Sequence, residues 1–333
     1  MQRCSNIAPH GLLSHIFTKF GSQLSRYILI RSISSIVTIL AATFFVFGVS
    51  RTAQDPLDLY IPESGYGITE EGRIAISKEL NLDRSVPVAY VLWLGKAVRG
   101  DLGKSLKNKR PVTAVIGEKI PNTLQLGAVS WVLATLIGVP MGILSAVKRG
   151  TGWDYLGRGF ALFGQAIPNF WFAIVSILIF AVWLGWLPAA TKQGFDPVYF
   201  ILPSITLGSA AAAGYLRITR SAMLEVLDMD YIIMARAKGV NTNVVIWKHA
   251  LRNALIPPLT VSSLILTGFI TGSVLVEVVF AWPGLGRLAV NSVNTNDFPV
   301  LTGIMLMFTV LYVVVNFATD LLYVVIDPRI RLS

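Results

Sequence analysis

Six apolar runs, each about twenty residues or longer, constrain what this chain can fold into more than any other feature of its sequence. An α-helix rises about 1.5 Å per residue, so a run of this length crosses a hydrocarbon core of about 30 Å. Only 14% of the 333 residues are charged, which is too few for an ordinary soluble domain. We therefore predict an all-α integral membrane protein with six transmembrane helices, at residues 27–50, 121–147, 159–185, 199–224, 255–280 and 300–325.

The basic residues predict the orientation of these helices. They concentrate at alternate ends of the runs, at Arg26 and Arg31, Lys148, Arg149 and Arg158, Arg217 and Arg220, and Arg329 and Arg331. Because short cytoplasmic segments carry an excess of Lys and Arg, both termini are predicted to be cytoplasmic. The same placement accounts for the net charge of +10, and no nucleic-acid partner is predicted because no basic groove with interleaved aromatics is present.

The spans divide the chain into successive parts. Residues 1–26 are predicted to be a cytoplasmic N-terminal extension, 27–50 the first transmembrane helix, 51–118 a long extracytoplasmic loop region, 119–326 a core of five transmembrane helices with a cytoplasmic loop at 221–254, and 327–333 a cytoplasmic tail. The first span is predicted to be an uncleaved anchor, because the sequence SRTAQDP that follows it lacks a small-x-small cleavage site.

Small residues and prolines predict how the spans pack. The glycines, alanines and serine of 208–214 allow another helix backbone to approach closely, so this stretch is predicted to be a packing seam. The GxxxG pair Gly268 and Gly272 is predicted to contact either a second subunit or another helix of this chain. Kinks that serve either a pathway or packing are predicted at Pro140, Pro168 and Pro203.

The cytoplasmic loop carries two short helical patterns. The first covers Tyr231 to Lys238, with Asp228 or Asp230 as the predicted N-cap and Gly239 as the residue that ends it. Helices shorter than about 12 residues are marginal in water, so this one needs a surface to hold it.

The side chains of that first helix suit a docking surface. Exposure is predicted for Tyr231, Ile232, Ile233 and Met234, beside two alanines and two basic residues. An amphipathic helix of this kind docks into a groove of a partner. The alternative is a basic loop that sets the topology and rests on lipid headgroups, and the composition alone leaves both open.

The second pattern, residues 244–255, places Trp247, Leu251 and Leu255 on one face. It is predicted to lie along the membrane interface before the chain turns in at Pro257. His249 has no second ligand at helical spacing, so it is predicted to be a surface residue and not a metal ligand.

The loop motifs AxAKG at 235–239 and HALRNALIP at 249–257 resemble the cytoplasmic EAA coupling loop of binding-protein-dependent ABC transporter permeases. The resemblance is to the first permease subunit of the dipeptide/oligopeptide/nickel class, and it covers nearly the whole chain from Tyr27. Its other motifs, in order, are GDLGKS at 100–105, IPNTLQL at 120–126, AIPNFW at 166–171, LGWLPA at 184–189, ILPSITL at 201–207, EVVFAWPGLGRL at 277–288 and DPRIR at 327–331.

Two departures narrow the resemblance to a subclass. Ile233, Met234 and Ala235 stand where the general family has Glu-Ala-Ala, and HALR stands where the general motif ends in Ile-x-Leu-Pro. The peptide class commonly lacks both features.

The resemblance implies a fold, a location and a set of partners. The fold is the six-helix type I ABC importer permease, in the bacterial inner membrane. The partners are the lipid bilayer, a second homologous permease subunit, two cytoplasmic ATPase subunits that bind ATP and Mg, and an extracytoplasmic solute-binding protein. This chain itself is expected to be non-catalytic and to bind no cofactor or metal, while the solute is a di- or oligopeptide, a nickel complex, glutathione or a related small molecule.

The resemblance also assigns residues. Those expected to couple the chain to an ATPase are Asp230, Tyr231, Ala235, Arg236, Ala237, Lys238, Gly239, His249, Arg252 and Asn253. Those expected at a pathway or gate are Glu277, Pro283 and Gly284, although Glu277 has the alternative of a hydrogen-bonded structural carboxylate.

Other chemistries find little support in the sequence. GKS at 103–105 lacks the glycine of a phosphate loop, because Val98 occupies its position. An intramembrane hydrolase is disfavoured since His10, His15 and His249 fall in predicted cytoplasmic segments. Cys4, the single cysteine, excludes an intramolecular disulfide. An ion-coupled secondary transporter remains the alternative, but Glu277 and Asp320 lie nearer span ends than centres.

Overall fold

The computed structural model describes residues 29–49, 74, 77, 83–189, 192, 194 and 196–326, with only the backbone at 270, 271 and 320–326. The predicted N-terminal extension 1–26, the tail 327–333 and the side chain of Asp320 lie outside the described part. Within it the regular structure is helical: α1 Leu29–Val49, α2 Val86–Ala97, α3 Val112–Gly117, α4 Ile120–Val147, α5 Gly152–Ala166, α6 Asn169–Trp183, α7 Val198–Leu227, α8 Asp230–Ala237, α9 Thr242–Ala254, α10 Ile256–Gly272, α11 Val274–Val279, α12 Leu285–Asn294 and α13 Phe298–Ile326.

By length and composition, four helical stretches in the described residues can each cross a membrane: α1, α3 with α4, α7 and α13. Two further pairs qualify only together, α5 with α6 across a bend of 105° and α9 with α10 across a bend of 50°. Counting each bent pair as one span gives six, the number that the sequence predicts, although the fifth then includes α9, which the sequence places in the cytoplasmic loop 221–254.

The third span, predicted over 159–185 with a kink at Pro168, consists of two helices, α5 and α6, that meet at a bend of 105°. It breaks at Pro168, and Ile167 before it takes an extended conformation with ψ 124°. The physical reason is that proline disfavours the helical region for the residue that precedes it. By contrast, Pro140 and Pro203 lie inside α4 and α7 without ending them.

Backbone contact between α4 and α7 forms the centre of the fold. A Cβ atom added at Gly138 would lie 2.4 Å from the carbonyl oxygen of Ala212, and one at Gly208 would lie 3.0 Å from that of Ser130. A Cβ at Gly164 of α5 would lie 2.8 Å from the Cβ of Ala213. These approaches confirm the small-residue stretch 208–214 as a packing seam.

Polar side chains also join the helices. Ser262 Oγ of α10 accepts from Tyr215 Oη at 2.7 Å and from Trp131 Nε1 at 2.9 Å. Near the predicted cytoplasmic end, Arg220 donates to the buried Asp154 through Nε at 2.8 Å and Nη2 at 3.1 Å. Arginine forks matched to carboxylates in this way fix geometry as well as charge.

The opposite end has its own apolar core, in which α3 and the loop before it pack against α12 and α13. Asp297 joins the two parts, because its buried carboxylate accepts from Ser105 Oγ and, at 3.0 Å, from the amide of Leu106. The serine of the GKS tripeptide is therefore occupied by a structural contact.

Candidate functional site

We define the coupling segment as residues 230–254, which comprise α8 and α9. Met229, and neither Asp228 nor Asp230, is the N-cap of α8, so that capping prediction was wrong. Asp230 is instead the first helical residue, where its charge favours the positive end of the helix dipole. Gly239 follows the helix with φ +76°, a conformation that glycine adopts without a Cβ clash, and so ends it as predicted.

The second helix of the coupling segment, α9, has a side-chain N-cap and contains a π-helical turn. Asn241 Oδ1 accepts from the amide of Asn243 at 2.9 Å, and residues 245–250 form a π-helical turn. Four residues of this helix are buried against the protein, Val245, Ile246, Ala250 and Ala254. The predicted apolar face points elsewhere, with Trp247 exposed and Leu251 and Leu255 half-buried.

One buried side chain anchors α8. Ile232 is 0% exposed and packs in a cluster with Val226, Leu227, Val245 and Ile246. The prediction that Ile232 is exposed was therefore wrong, because this side chain packs inward against the ends of α7 and α9. Full burial of an isoleucine contributes about 1.5–3 kcal/mol, which helps to hold a helix of eight residues that is marginal alone.

A hydrogen bond ties the two helices of the coupling segment together. Asn253 Nδ2 donates to Tyr231 Oη at 2.8 Å. The sequence separation is 22 residues, so this contact joins the start of α8 to the end of α9. Two of the residues assigned to coupling by resemblance thus meet directly.

The outer face of α8 is apolar and open. Ile233 is 55% exposed and Met234 58% exposed, with Tyr231 and Met229 also exposed beside them. Arg236 and Lys238 flank this surface. The other assigned residues divide by exposure: Asp230, Tyr231, Ala237, Gly239, Arg252 and Asn253 are exposed, while Ala235 and His249 are half-buried. Contiguous exposed apolar side chains in a predicted cytoplasmic loop favour an interaction surface.

The second candidate region, at the other end of the fold, is the Glu277 turn, residues 273–287. The Glu277 carboxylate is completely buried and accepts four hydrogen bonds. The donors are Gly286 N at 2.7 Å, Thr123 Oγ1 at 2.8 Å, Ser273 Oγ at 3.0 Å and Arg287 N at 3.1 Å. These contacts hold the two ends of the turn together through the Glu277 carboxylate. A role of Glu277 in gating stays a prediction.

Glycines make room for that carboxylate. A Cβ added at Gly284 would lie 2.4 Å from Glu277 Oε2, and one at Gly286 would lie 2.6 Å from Val274 Cα. The carbonyl of Pro283 accepts from Asn122 Nδ2 at 3.0 Å, which fixes the turn against the start of α4. Pro283 and Gly284 therefore lie together with Glu277, as the shared motif suggested.

Lys192 joins this region without any signal in the sequence. Its Nζ donates to Asn122 Oδ1 at 2.7 Å and to Gln125 Oε1 at 2.6 Å, and it lies 5.4 Å from the ring centroids of Trp282 and Phe200. Burial lowers the pKa of its amine. A lone lysine in a short loop gave no reason to single it out, because its partners come from three separate helices and turns.

Residues 138–332 match the family described as "Binding-protein-dependent transport system inner membrane component". The chain is 41% identical over 319 residues to the oligopeptide transport system permease protein AppB of Bacillus subtilis (strain 168), covering 92% of this chain and 100% of that relative. It is 42% identical over 257 residues to the glutathione transport system permease protein GsiC of Pectobacterium atrosepticum, covering 77% and 83%.

Solved structures share the fold. An inward-facing crystal form of the MetNI methionine ABC transporter matches with a TM-score of 0.53 at 22% identity, covering 64% of this chain and 96% of that chain. A second crystal form of that transporter matches with a TM-score of 0.54 at 20% identity over the same shares.

Proposed function

The chain belongs to the family of binding-protein-dependent transport system inner membrane components, and on this premise we propose that its coupling segment docks onto a cytoplasmic ATPase and that its solute is a short peptide or a related small molecule. The chain is a multi-pass permease subunit of an ABC importer in the bacterial inner membrane. It supplies the pathway and the transmission of motion, while ATP and Mg bind to the ATPase partners.

The observation that carries the docking proposal is the division of α8 into two faces. Ile232 is fully buried in the permease, while its neighbours Ile233 and Met234 are more than half exposed. A loop that only set the topology would need basic charge but no apolar surface on the cytoplasmic side. A helix anchored on one face and apolar on the other suits a groove in a partner protein.

The anchoring also gives α8 a means to transmit force. α7 runs to Leu227, and α8 begins at Asp230 after a turn of two residues. Closure of the ATPases on ATP moves the docked helix together with α7, and the spans alternate between inward and outward access. The energy comes from the different affinities of ATP for the two states.

A second permease subunit completes the pathway and an extracytoplasmic binding protein delivers the solute. The solute class is proposed from the relatives, whose names specify oligopeptides, peptides and glutathione. These solutes share short amide backbones with free carboxylates. A nickel complex stays within the range of the class, and an ion-coupled secondary transporter is disfavoured by the family match.

We test the docking proposal with Ile233→Asp in the complete transporter. A carboxylate on the outer face of α8 must lose its hydration on docking, so ATPase co-purification should fall about tenfold or more while the amount of permease in the membrane stays unchanged. ATP-dependent uptake of a labelled tripeptide should fall in parallel.

The matched variant is Ile232→Ala, one residue away on the buried face. It should lower the thermal stability of the purified permease because it leaves a cavity, and it should not remove the docking surface itself. Normal ATPase co-purification with Ile233→Asp would refute the docking proposal. Uptake driven by an ion gradient through the permease alone in liposomes would instead support the secondary transporter.

A further inference from the structure

One face of α7 differs from the other exposed surfaces of the candidate membrane-spanning helices. Ala210, Gly214, Arg217, Ser221 and Glu225 recur at intervals of three or four residues and are exposed or half-buried. α5, by comparison, exposes large apolar side chains, since Leu156, Leu162 and Phe163 are each about two thirds exposed; its exposed polar side chains are Arg158 and Gln165. Lipid contacts apolar side chains, so the α7 face lies against water or protein.

Arg217 stands in the middle of this face, and its guanidinium points away from the cytoplasmic end. Its Nη1 donates to Oε1 of Gln165, at 3.0 Å, near the end of α5. Ten residues separate it from Leu227 at the end of α7, which corresponds to about 15 Å along a helix. An arginine that only anchored the helix would extend toward the nearer headgroups.

Arg220, three residues later, provides the contrast. Its Nε and Nη2 each donate to one oxygen of the buried Asp154 carboxylate. Arg217 forms no ion pair among the described residues, and its hydrogen bond goes to a neutral amide. Two arginines one helical turn apart are therefore used differently, one as a structural cross-link and one as an exposed cation.

We propose that Arg217, held by Gln165, lines the translocation pathway and binds the carboxylate of the transported solute. A guanidinium presents five donors, and its planar fork matches a carboxylate through two parallel hydrogen bonds. One arm bonds Gln165, and the other edge is open to a ligand. This inference rests on the proposed function, since it requires that the chain transport a solute with a carboxylate.

The surroundings favour a small solute over a helix of the second permease subunit. The alanine, glycine and serine at 210, 214 and 221 would permit close approach of another helix. Arg217 lies between Gly214 and Ser221, and Gln165 Nε2 of α5 lies 3.9 Å from where a Cβ of Gly214 would be, so two polar side chains already occupy the centre of that face. A solute needs only to reach the guanidinium, and the small neighbours leave room for it.

The first experiment tests whether the α7 face around Arg217 is accessible to water. In the assembled transporter with Cys4→Ser, Arg217→Cys is compared with Phe163→Cys, which is 66% exposed and, two residues from Gln165, lies on nearly the opposite side of α5 at the same depth. A charged, membrane-impermeant methanethiosulfonate reagent requires a hydrated thiolate, so labelling at 217 should be at least about tenfold faster. Equal, slow labelling at both positions would overturn the proposal.

The second experiment tests the ligand. Uptake of labelled trialanine and of its C-terminal amide is measured in proteoliposomes with wild type, Arg217→Lys and Arg217→Gln. The neutral variant should lower uptake of the free acid about tenfold, with partial recovery in Arg217→Lys, and leave uptake of the amide within about twofold of wild type. Selection by the binding protein is common to all three and cancels in the comparison with wild type.

The outcomes separate the possible causes. An equal fall for both probes assigns Arg217 a structural role, and loss of the second permease subunit on purification assigns it to the subunit interface; either result overturns the proposal. If the wild-type complex imports no peptide at all, the proposed solute class fails instead. The labelling result then still decides whether Arg217 lines the pathway.

Discussion

The coupling segment and the Glu277 turn lie at opposite ends of the fold and are built on opposite principles. In the turn, the carboxylate of Glu277 is completely buried, and four donors from this chain satisfy it. In the coupling segment, Ile233 and Met234 are left open although they are as apolar as core residues. One region is complete within the chain, and the other leaves apolar side chains exposed that the proposed docking would bury.

This difference between the two regions predicts whether a substitution changes the stability of the permease or its function. A buried polar centre contributes to stability because each donor that loses its acceptor costs free energy in the folded protein. An exposed apolar surface contributes nothing to the isolated fold and much to an interface. Substitutions in the turn should therefore change how much permease accumulates, and substitutions in the coupling segment should change what the permease does.

The largest effect is expected from Glu277→Ala. Four donors would lose their acceptor, and the three buried ones cost about 1–3 kcal/mol each, so the variant should accumulate in the membrane at less than about a tenth of the wild-type level. Glu277→Gln should be milder because the amide keeps one accepting oxygen. Quantitative immunoblotting of membranes measures the level.

Glu118→Ala is the control for Glu277→Ala. Glu118 is half exposed and pairs with Arg110, and an exposed pair contributes only about 0–1 kcal/mol. Its level should match wild type. If Glu277→Ala accumulated normally but lost transport, the comparison between the two regions would break, and the carboxylate would act as a gate.

The next effect is expected from Gly239→Val. The residue has φ +76°, which a β-branched side chain adopts only at a cost of about 1–3 kcal/mol, so the end of α8 should distort. We expect solute uptake per ATP hydrolysed to fall about tenfold while the ATPases stay bound. The measurement is uptake and ATP hydrolysis in the same proteoliposomes.

Gly100→Val provides a matched strain outside the coupling segment. Gly100 has φ +84°, and an added Cβ at either glycine would meet no atom within 4 Å. Both variants carry similar backbone strain, but only Gly239 adjoins α8. An unchanged ratio of uptake to hydrolysis in Gly239→Val, or an equal loss in both variants, would count against transmission of motion through α8.

The smallest effect is expected from reversing two exposed charges, Arg236→Glu with Lys238→Glu. These charges flank the apolar surface, and rim charges mainly steer association, so ATPase co-purification should weaken about two- to fivefold and less at high salt. Lys96→Glu with Arg99→Glu, exposed residues of the predicted extracytoplasmic side, should have no effect. Unchanged co-purification in the first pair would favour a loop that only sets the topology.

The sequence by itself determined that this protein lies in a lipid bilayer and where several of its helices run. Runs such as 27–50 and 300–325 are long and apolar enough to require a bilayer, and Gly239 ends α8 because a position of positive φ favours glycine. The small residues of 208–214 predicted a close helix contact, although not that the contacting helix is α4. Such features depend on length, composition and backbone conformation, which neighbouring residues set.

Only the tertiary structure decided which side chains meet. Glu277 accepts a hydrogen bond from Thr123, 154 residues away in sequence, and Arg217 donates one to Gln165, 52 residues away. No local sequence pattern could predict these pairs. Ile232 and Ile233 are identical residues in adjacent positions, yet one is the anchor and the other is the open surface. Their roles depend on the angle at which α8 leaves Met229 and on what packs beneath it, and that angle is fixed by contacts distant in sequence.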